Sequence, residues 1–287
     1  MERRDFLRAS AIGAAALGLA PGSRGQASEA KAPPKLKGRI KHSVSRWCYG
    51  GMALDDLCRE VAAMGAHSVE LLDEADWSVP AKHGLVCAIA NGPGPIDIGW
   101  NRTERHRVLL ERSEAILPKL AAAKIPNMIV FSGNRAGQPD NQGMKACYHG
   151  FKELGAMAEK HGVNILVELL NSKVDHADYQ FDHMAWGVEL VRMVESPRIK
   201  ILYDIYHAQI MDGDVIRTIR DNIEWIGHFH TGGVPGRHEI DASQELNYTA
   251  ICKAIADTGF QGYVGQEFVP TRDPMTSLRE AIAICDV

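Results

Sequence analysis

The sequence has few cysteines, and no two of them form a Cys-x-x-Cys pair. The six cysteines lie at positions 48, 58, 87, 147, 252 and 285, without the spacing of a structural zinc site. They are also too sparse for the disulfide framework of a small secreted protein, since this chain is long enough to build its own core. We therefore expect each cysteine to be a small buried apolar residue.

Net charge is also nearly absent. The 32 basic and 36 acidic residues leave a formal charge of −4, which gives no electrostatic reason to bind nucleic acid or an anionic membrane surface. The composition is that of a globular protein, with 45% hydrophobic and 24% charged residues, so disordered and fibrous classes are excluded. A length of 287 residues fits one α/β barrel of about 250 residues with short extensions.

The N-terminal region differs from the rest of the chain. Within residues 1–27, Arg3-Arg4-Asp5-Phe6-Leu7 resembles the start of a twin-arginine export signal. The apolar run over 9–20 is shorter than the roughly 20 residues that span a bilayer. The resemblance implies recognition by the twin-arginine export machinery, a periplasmic location and a bound cofactor, because this route carries folded proteins. We expect residues 28–39 to be a linker and 40–287 to be the folded domain.

From residue 40 onward, β-rich runs alternate with amphipathic stretches and predict a single-domain (β/α)8 TIM barrel of the α/β class. Buried runs such as Ile165-Leu166-Val167 are typical of parallel strands covered by helices. A doubly wound sheet is the alternative, but Tyr49-Gly50-Gly51-Met52 is not the Gly-rich phosphate loop that such a fold favours. The predicted strands lie near 41–48, 67–72, 85–91, 127–133, 163–170, 199–206, 223–231 and 263–269. The predicted helices lie near 53–65, 76–84, 102–124, 143–161, 178–195, 213–222, 247–259 and 275–284.

Four side chains that commonly bind metals occupy equivalent positions in consecutive units. Glu168, Asp204, His230 and Glu267 each lie near the C-terminal end of one of the last four predicted strands. In a TIM barrel these ends meet at one mouth, where active sites lie. Three carboxylates there repel one another unless a cation is present. Three oxygens and one imidazole suit Mn²⁺ or Mg²⁺ better than zinc, so the sequence predicts one divalent ion at this mouth.

Several motifs resemble those of a known family. The segment 227–239, GHFHTGGVPGRHE, is similar to the GHxQ…PGRHE segment of the hydroxypyruvate isomerase group within the xylose isomerase-like TIM barrels. Further similar segments are Tyr203-Asp204-Ile205-Tyr206-His207, Glu245-Leu246-Asn247-Tyr248 and Gly265-Gln266-Glu267-Phe268-Val269-Pro270. That group usually has Gln at the position of His230, whereas ketose 3-epimerases on the same fold have His.

The resemblance implies an intramolecular oxidoreductase that interconverts hydroxypyruvate and 2-hydroxy-3-oxopropanoate by proton transfer next to a carbonyl. We expect Glu168 and Glu267 to be the catalytic pair, with Glu168 as the base. His207 and Arg237 are expected to bind the small hydroxy-carbonyl substrate, since a guanidinium fork suits a carboxylate. A sugar (ketose) epimerase, an inosose-type dehydratase and an exported non-catalytic sugar-binding protein stay open as alternatives. A homo-oligomer stays open as well.

An endonuclease of the type that acts at abasic sites shares these four residues. It would need extra histidines after the second and third strands for a zinc cluster. This chain has Leu72-Asp73-Glu74 and Ala90-Asn91-Gly92 at those strand ends. The sequence therefore favours an isomerase over an enzyme that acts on nucleic acid.

Overall fold

The computed structural model describes residues 35–287. The predicted export signal over 1–27 and the first part of the predicted linker, 28–34, lie outside the described residues and stay predictions. Within 35–287, none of the helices is both long and apolar enough to cross a membrane.

Seven parallel strands form one sheet whose order is β2-β1-β7-β6-β5-β4-β3. The segment 86–90 connects the two ends of this sheet, because Val86 pairs with Ser68 on one side and Ala90 pairs with Met128 on the other. The sheet therefore closes, and the predicted eight-stranded TIM barrel is confirmed with one irregular strand. The strands are β1 Lys41–Ser45, β2 Ser68–Glu70, β3 Asn127–Val130, β4 Asn164–Glu168, β5 Ile199–Asp204, β6 Ile226–Thr231 and β7 Tyr263–Gln266.

Among residues 35–287, eight α-helices surround the sheet, and the short fifth helix lies at the barrel mouth. They are α1 Leu54–Ala63, α2 Thr103–Ala122, α3 Asp140–His161, α4 Met184–Val194, α5 Ile205–Met211, α6 Val215–Asn222, α7 Tyr248–Asp257 and α8 Pro274–Cys285. Gly162 ends α3 with a φ of 69°, a left-handed conformation that glycine adopts without steric cost. Five of the six cysteines are buried and Cys48 is half-buried, in line with their expected role as small core residues.

Several predicted elements differ from the structure in their bounds or in their type. The strand predicted over 199–206 ends at Asp204, because this carboxylate accepts a hydrogen bond from the backbone N–H of His207 (3.2 Å) and starts α5. The helix predicted over 76–84 is instead a pair of short 3-10 helices. The helix predicted from residue 178 begins at Met184, after a loop over 171–183.

Side-chain alternation along the strands separates the barrel interior from the outer core. Leu166 packs inside the barrel with Ile129 and Leu202, whereas Val167 and Leu169 pack with the residues of the surrounding helices. Glu168 follows Leu166 by two positions and so points into the barrel. Burying each large apolar side chain in these two cores stabilises the fold by roughly 1.5–3 kcal/mol.

Candidate metal centre at the barrel mouth

The structure brings the four predicted metal ligands together. Glu168 ends β4, Asp204 ends β5, His230 lies near the end of β6 and Glu267 follows β7. One potential ligand atom from each lies within 4.8 Å of those of the others, and all four residues are buried. The pairing of Asp204 with His230 across β5 and β6 holds two of them side by side.

The charges at this cluster are poorly balanced without a cation. Burial raises the pKa of Glu168 above its ordinary value, and burial raises the pKa of Asp204 to about 7 although Arg237 opposes this. Burial alone would raise the pKa of Glu267 too, but His230 and Arg237 hold it well below its usual range. The cluster therefore suits a divalent ion, whose charge would favour the ionised form of every carboxylate. Its oxygen-rich donor set with one imidazole fits Mn²⁺ or Mg²⁺.

Glu70, a carboxylate that the sequence interpretation missed, contacts His230 on the ring nitrogen that faces away from the cluster. Glu70 Oε1 lies 2.8 Å from His230 Nε2 and 3.2 Å from His228 Nε2. The Ser43 hydroxyl donates to the other oxygen of Glu70. Burial alone would raise the pKa of Glu70, but His228 and His230 lower it, so this carboxylate stays ionised. His228 is thus a buried supporting residue.

Gly265 makes room for this contact. It pairs with His230 across β6 and β7, and a Cβ at this position would lie 2.3 Å from Glu70 Oε1. Any side chain at position 265 would therefore displace Glu70 or His230. The alternation of Ser68 and Glu70 on one strand face was the available sequence signal, because a carboxylate inside a buried strand needs a partner.

Arg237 contacts two carboxylates of the cluster directly. One of its terminal nitrogens, Nη2, lies 3.0 Å from Asp204 Oδ2 and 2.7 Å from Glu267 Oε2. Its guanidinium carbon lies 5.2 Å from the ring centroid of Trp47 and 5.4 Å from that of Tyr206, distances typical of cation–π contacts. The guanidinium therefore supplies positive charge within the carboxylate cluster.

The backbone holds Arg237 in an uncommon conformation. Its φ is 57°, in the left-handed region that non-glycine residues rarely occupy. Backbone hydrogen bonds from Arg237 N–H to Gly233 (2.8 Å) and from Val269 N–H to Arg237 (2.7 Å) fix the turn. Such conformations persist where surrounding contacts enforce them, often at functional sites. The neighbouring Glu239 pairs with Thr271 instead and anchors the loop.

His207 lies in the first turn of α5 and is fully buried. Its Nδ1 lies 2.7 Å from the side-chain nitrogen Nδ2 of Asn171, and its Nε2 lies 3.7 Å from Asp204 Oδ2. Burial lowers the pKa of His207 well below its ordinary value, so the ring is neutral. Its contact with substrate stays a prediction.

A cavity of about 370 Å³ opens above the cluster. Glu168, Glu267 and Arg237 line it, together with Trp47, whose indole N–H donates to Glu267. Asp204 and His230 are fully buried and are not part of the lining. The two glutamates are therefore the predicted ligands that also reach the space where a substrate would bind.

Comparisons with known proteins agree with this architecture. Residues 58–286 match the family described as the xylose isomerase-like TIM barrel. A 2-oxo-tetronate isomerase of Pectobacterium atrosepticum is 30% identical over 75% of this chain and 86% of its own length. A provisionally named hydroxypyruvate isomerase of Danio rerio is 34% identical, but the match covers only 42% of this chain and 44% of that protein.

A solved structure shares the fold. The crystal structure described as an AP endonuclease, family 2, from Brucella melitensis is 25% identical to this chain and superposes with a TM-score of 0.76. The superposition covers 83% of this chain and 96% of that one. With the family match extending over most of the barrel, this chain belongs to the xylose isomerase-like TIM barrel family.

Proposed function

We propose that this chain is a metal-dependent isomerase that moves a proton between adjacent carbons of a small hydroxy-carbonyl acid. The observation that carries the proposal is the convergence of Glu168, Asp204, His230 and Glu267 beside Arg237 at one cavity. Relatives named 2-oxo-tetronate isomerase and hydroxypyruvate isomerase support this reaction class. Hydroxypyruvate and 2-oxo-tetronate are therefore the first substrates to test.

In this proposal, the four clustered residues hold one Mn²⁺ or Mg²⁺ ion. The bound ion would polarise the substrate carbonyl and offset the negative charge that develops on its oxygen. Glu70 keeps the imidazole of His230 oriented toward the cluster through a 2.8 Å contact. Tyr179 donates a hydrogen bond to the backbone carbonyl of Glu168 (3.0 Å) and so fixes the end of β4.

Glu168 and Glu267 are placed to handle the proton. Both line the cavity, and two strands, β5 and β6, separate β4 from β7. A carboxylate on one side of the substrate can remove a proton from carbon, and a group on the other side can return one. We assign Glu168 as the base and Glu267 as its partner, because the oxygens of Glu267 are already engaged by Arg237 and by the indole N–H of Trp47.

Arg237 is placed to bind the carboxylate of an acid substrate. Its Nη2 is engaged with Asp204 and Glu267, but its buried Nε has no hydrogen-bond partner among residues 35–287. The guanidinium therefore keeps a donor for a substrate oxygen. Charge-assisted contacts of this kind are strong in a desolvated site.

The test is turnover of hydroxypyruvate, 2-oxo-tetronate and a panel of ketoses by the full chain, with Mn²⁺ and after chelation. We expect the acids to be isomerised with Mn²⁺ and not after chelation. Arg237→Lys supplies the charge without the fork, so it should reduce kcat/KM on the acids roughly 30-fold or more. Turnover of acids by the chelated protein, or no turnover of any hydroxy-carbonyl acid with any metal, would contradict the proposal.

A ketose epimerase is the second candidate, because His230 stands where the hydroxypyruvate isomerase group usually has Gln. The same panel separates the two functions. Arg237 would then meet neutral hydroxyls, whose hydrogen bonds contribute about 1 kcal/mol each. Turnover confined to ketoses, with only a small effect of Arg237→Lys, would favour the epimerase.

A further inference from the structure

The cavity above the metal centre has two unlike walls. Glu168 at the end of β4, Arg237 after β6 and Glu267 after β7 form a charged wall. The apolar part of the lining, which we call the apolar wall, consists of side chains from the ends of β2, β3 and β4 and from the loop over 91–101. Its members are Leu71, Ile96, Ile129, Phe131 and Leu170.

The apolar wall offers few hydrogen-bond partners. The side-chain N–H groups of Asn91 donate to the Leu71 carbonyl (3.3 Å) and to Asp73 (2.9 Å), and the indole N–H of Trp47 is taken by Glu267. Among the described side chains that line the cavity away from the charged wall, this leaves His176 and the Asn91 oxygen as free polar partners. Several substrate hydroxyls on this side would therefore be buried without partners, which is costly.

The size of the cavity also indicates a substrate larger than a three-carbon acid. A volume of about 370 Å³ lies in the range of pockets that enclose ligands of drug-like size. A three-carbon acid fills roughly half of it, since a water-sized group takes about 30 Å³. Leu71, Ile96 and Phe131 are only half-buried in this state, so a ligand against them would remove apolar surface from water.

We propose that the substrate carries an aliphatic chain beyond its hydroxy-carbonyl group, and that this chain of up to about six carbons binds against the apolar wall. This inference rests on the proposed metal-dependent isomerase, whose charged wall would hold the hydroxy-carbonyl end. It identifies the substrate class as an alkyl-substituted hydroxy-carbonyl acid rather than a polyhydroxylated sugar.

The experiment measures binding of metal-chelating hydroxamates to the full chain loaded with Mn²⁺, by calorimetry. Acetohydroxamate, hexanohydroxamate and gluconohydroxamate share the chelating group and differ in the attached chain. Each buried methylene tightens binding roughly fourfold, so hexanohydroxamate should bind on the order of 100-fold tighter than acetohydroxamate. Gluconohydroxamate should bind at least about 30-fold more weakly than hexanohydroxamate, because its hydroxyls lose their water partners.

Two variants locate the effect. Ile96→Asn should reduce the preference for hexanohydroxamate over acetohydroxamate roughly tenfold. Ile98→Asn is the matched control, because Ile98 lies in the same loop but outside the cavity lining and is 39% exposed. This variant should bind acetohydroxamate and hexanohydroxamate with the affinities of wild type. Equal binding of all three hydroxamates, tighter binding of gluconohydroxamate, or no binding of any would overturn the inference.

Turnover assays of the same preparation keep the two proposals apart. Isomerisation of the short acids without a chain-length effect on hydroxamate binding would overturn this inference and leave the proposed function standing. Chain-dependent binding without turnover of any hydroxy-carbonyl acid, including alkyl-substituted ones, would overturn the proposed function and support the apolar subsite.

Discussion

Glu70 Oε1 lies 2.8 Å from Nε2 of His230, and both side chains are fully buried. On its other side, His230 Nδ1 lies 2.7 Å from Glu267 Oε2 and 3.3 Å from Glu168 Oε1. Burial alone would lower the pKa of His230, but these glutamates raise it well above its ordinary value. A metal at the cluster would replace the proton on Nδ1, while Nε2–H continues to donate to Glu70. This is the arrangement by which a carboxylate orients a histidine ligand.

Glu70→Gln should weaken Mn²⁺ binding about 10- to 100-fold, because supporting partners of metal-bound histidines typically contribute that much. The amide keeps the shape of Glu70 but removes its charge, so the imidazole loses its strongest acceptor. A Mn²⁺ titration followed by electron paramagnetic resonance measures the change. Glu74→Gln is the control. Glu74 is an exposed carboxylate that follows the same strand and pairs with Lys119, so this variant should bind Mn²⁺ with the affinity of wild type. Equal affinities of both variants would refute the role of Glu70.

Arg237→Ala should destabilise the metal-free protein by about 3–5 kcal/mol, the typical cost of removing one partner from a buried ion pair. The variant leaves Asp204 and Glu267 without the guanidinium that contacts both. Saturating Mn²⁺ should raise the Tm more in this variant than in wild type, because the ion restores the missing positive charge. Thermal unfolding with and without Mn²⁺ measures both effects. Arg217→Ala, which removes an exposed arginine paired with Asp214, is the control. It should change neither the stability of the metal-free protein nor the rise in Tm on adding Mn²⁺.

Glu239→Gln should reduce stability at neutral pH and have less effect in acid. Burial alone would raise the pKa of Glu239, but hydrogen bonds from Thr271 and Ser277 hold it at about 2, below its ordinary 4.5. A lowered pKa stabilises the fold above the unfolded-state value, and this contribution disappears as the pH falls through the folded-state value. We expect a loss of about 1–3 kcal/mol at pH 7, which shrinks between about pH 5 and pH 2. Urea unfolding of wild type and of Glu239→Gln across this pH range measures the difference in their free energies of unfolding. A difference that grows as the pH falls would contradict the assignment.

The barrel and the convergence of the four clustered residues could be predicted because they follow local rules. Parallel buried strands alternate with helices, and ligands at the ends of consecutive strands must meet at one mouth. The strand end at Asp204 was placed two residues late, because the decisive signal is a side-chain cap on α5 rather than a change in hydrophobic pattern. The irregular strand over 86–90 was predicted as a regular strand. The sequence pattern of apolar residues does not indicate how many hydrogen bonds a strand forms with its neighbours in the sheet.

Contacts between distant segments could not be predicted. Glu70 and His230 belong to strands that are far apart in sequence, and their contact depends on the missing side chain of Gly265. The direction of Arg237 depends on its left-handed backbone and on two aromatic rings from other segments, Trp47 after β1 and Tyr206 in α5. The apolar wall combines four separate segments, none of which carries a motif. These features arise from tertiary packing, which local sequence patterns do not indicate.

The most direct test of the central claim is the Mn²⁺ content of the purified, folded full chain and of two variants, measured by elemental analysis after Mn²⁺ loading and dialysis. We expect one ion per wild-type chain, and its loss in Glu168→Gln and in Asp204→Asn. Glu239→Gln, which neutralises a buried carboxylate outside the cluster, should retain the ion. Full occupancy in both Glu168→Gln and Asp204→Asn would contradict the metal centre described for the barrel mouth.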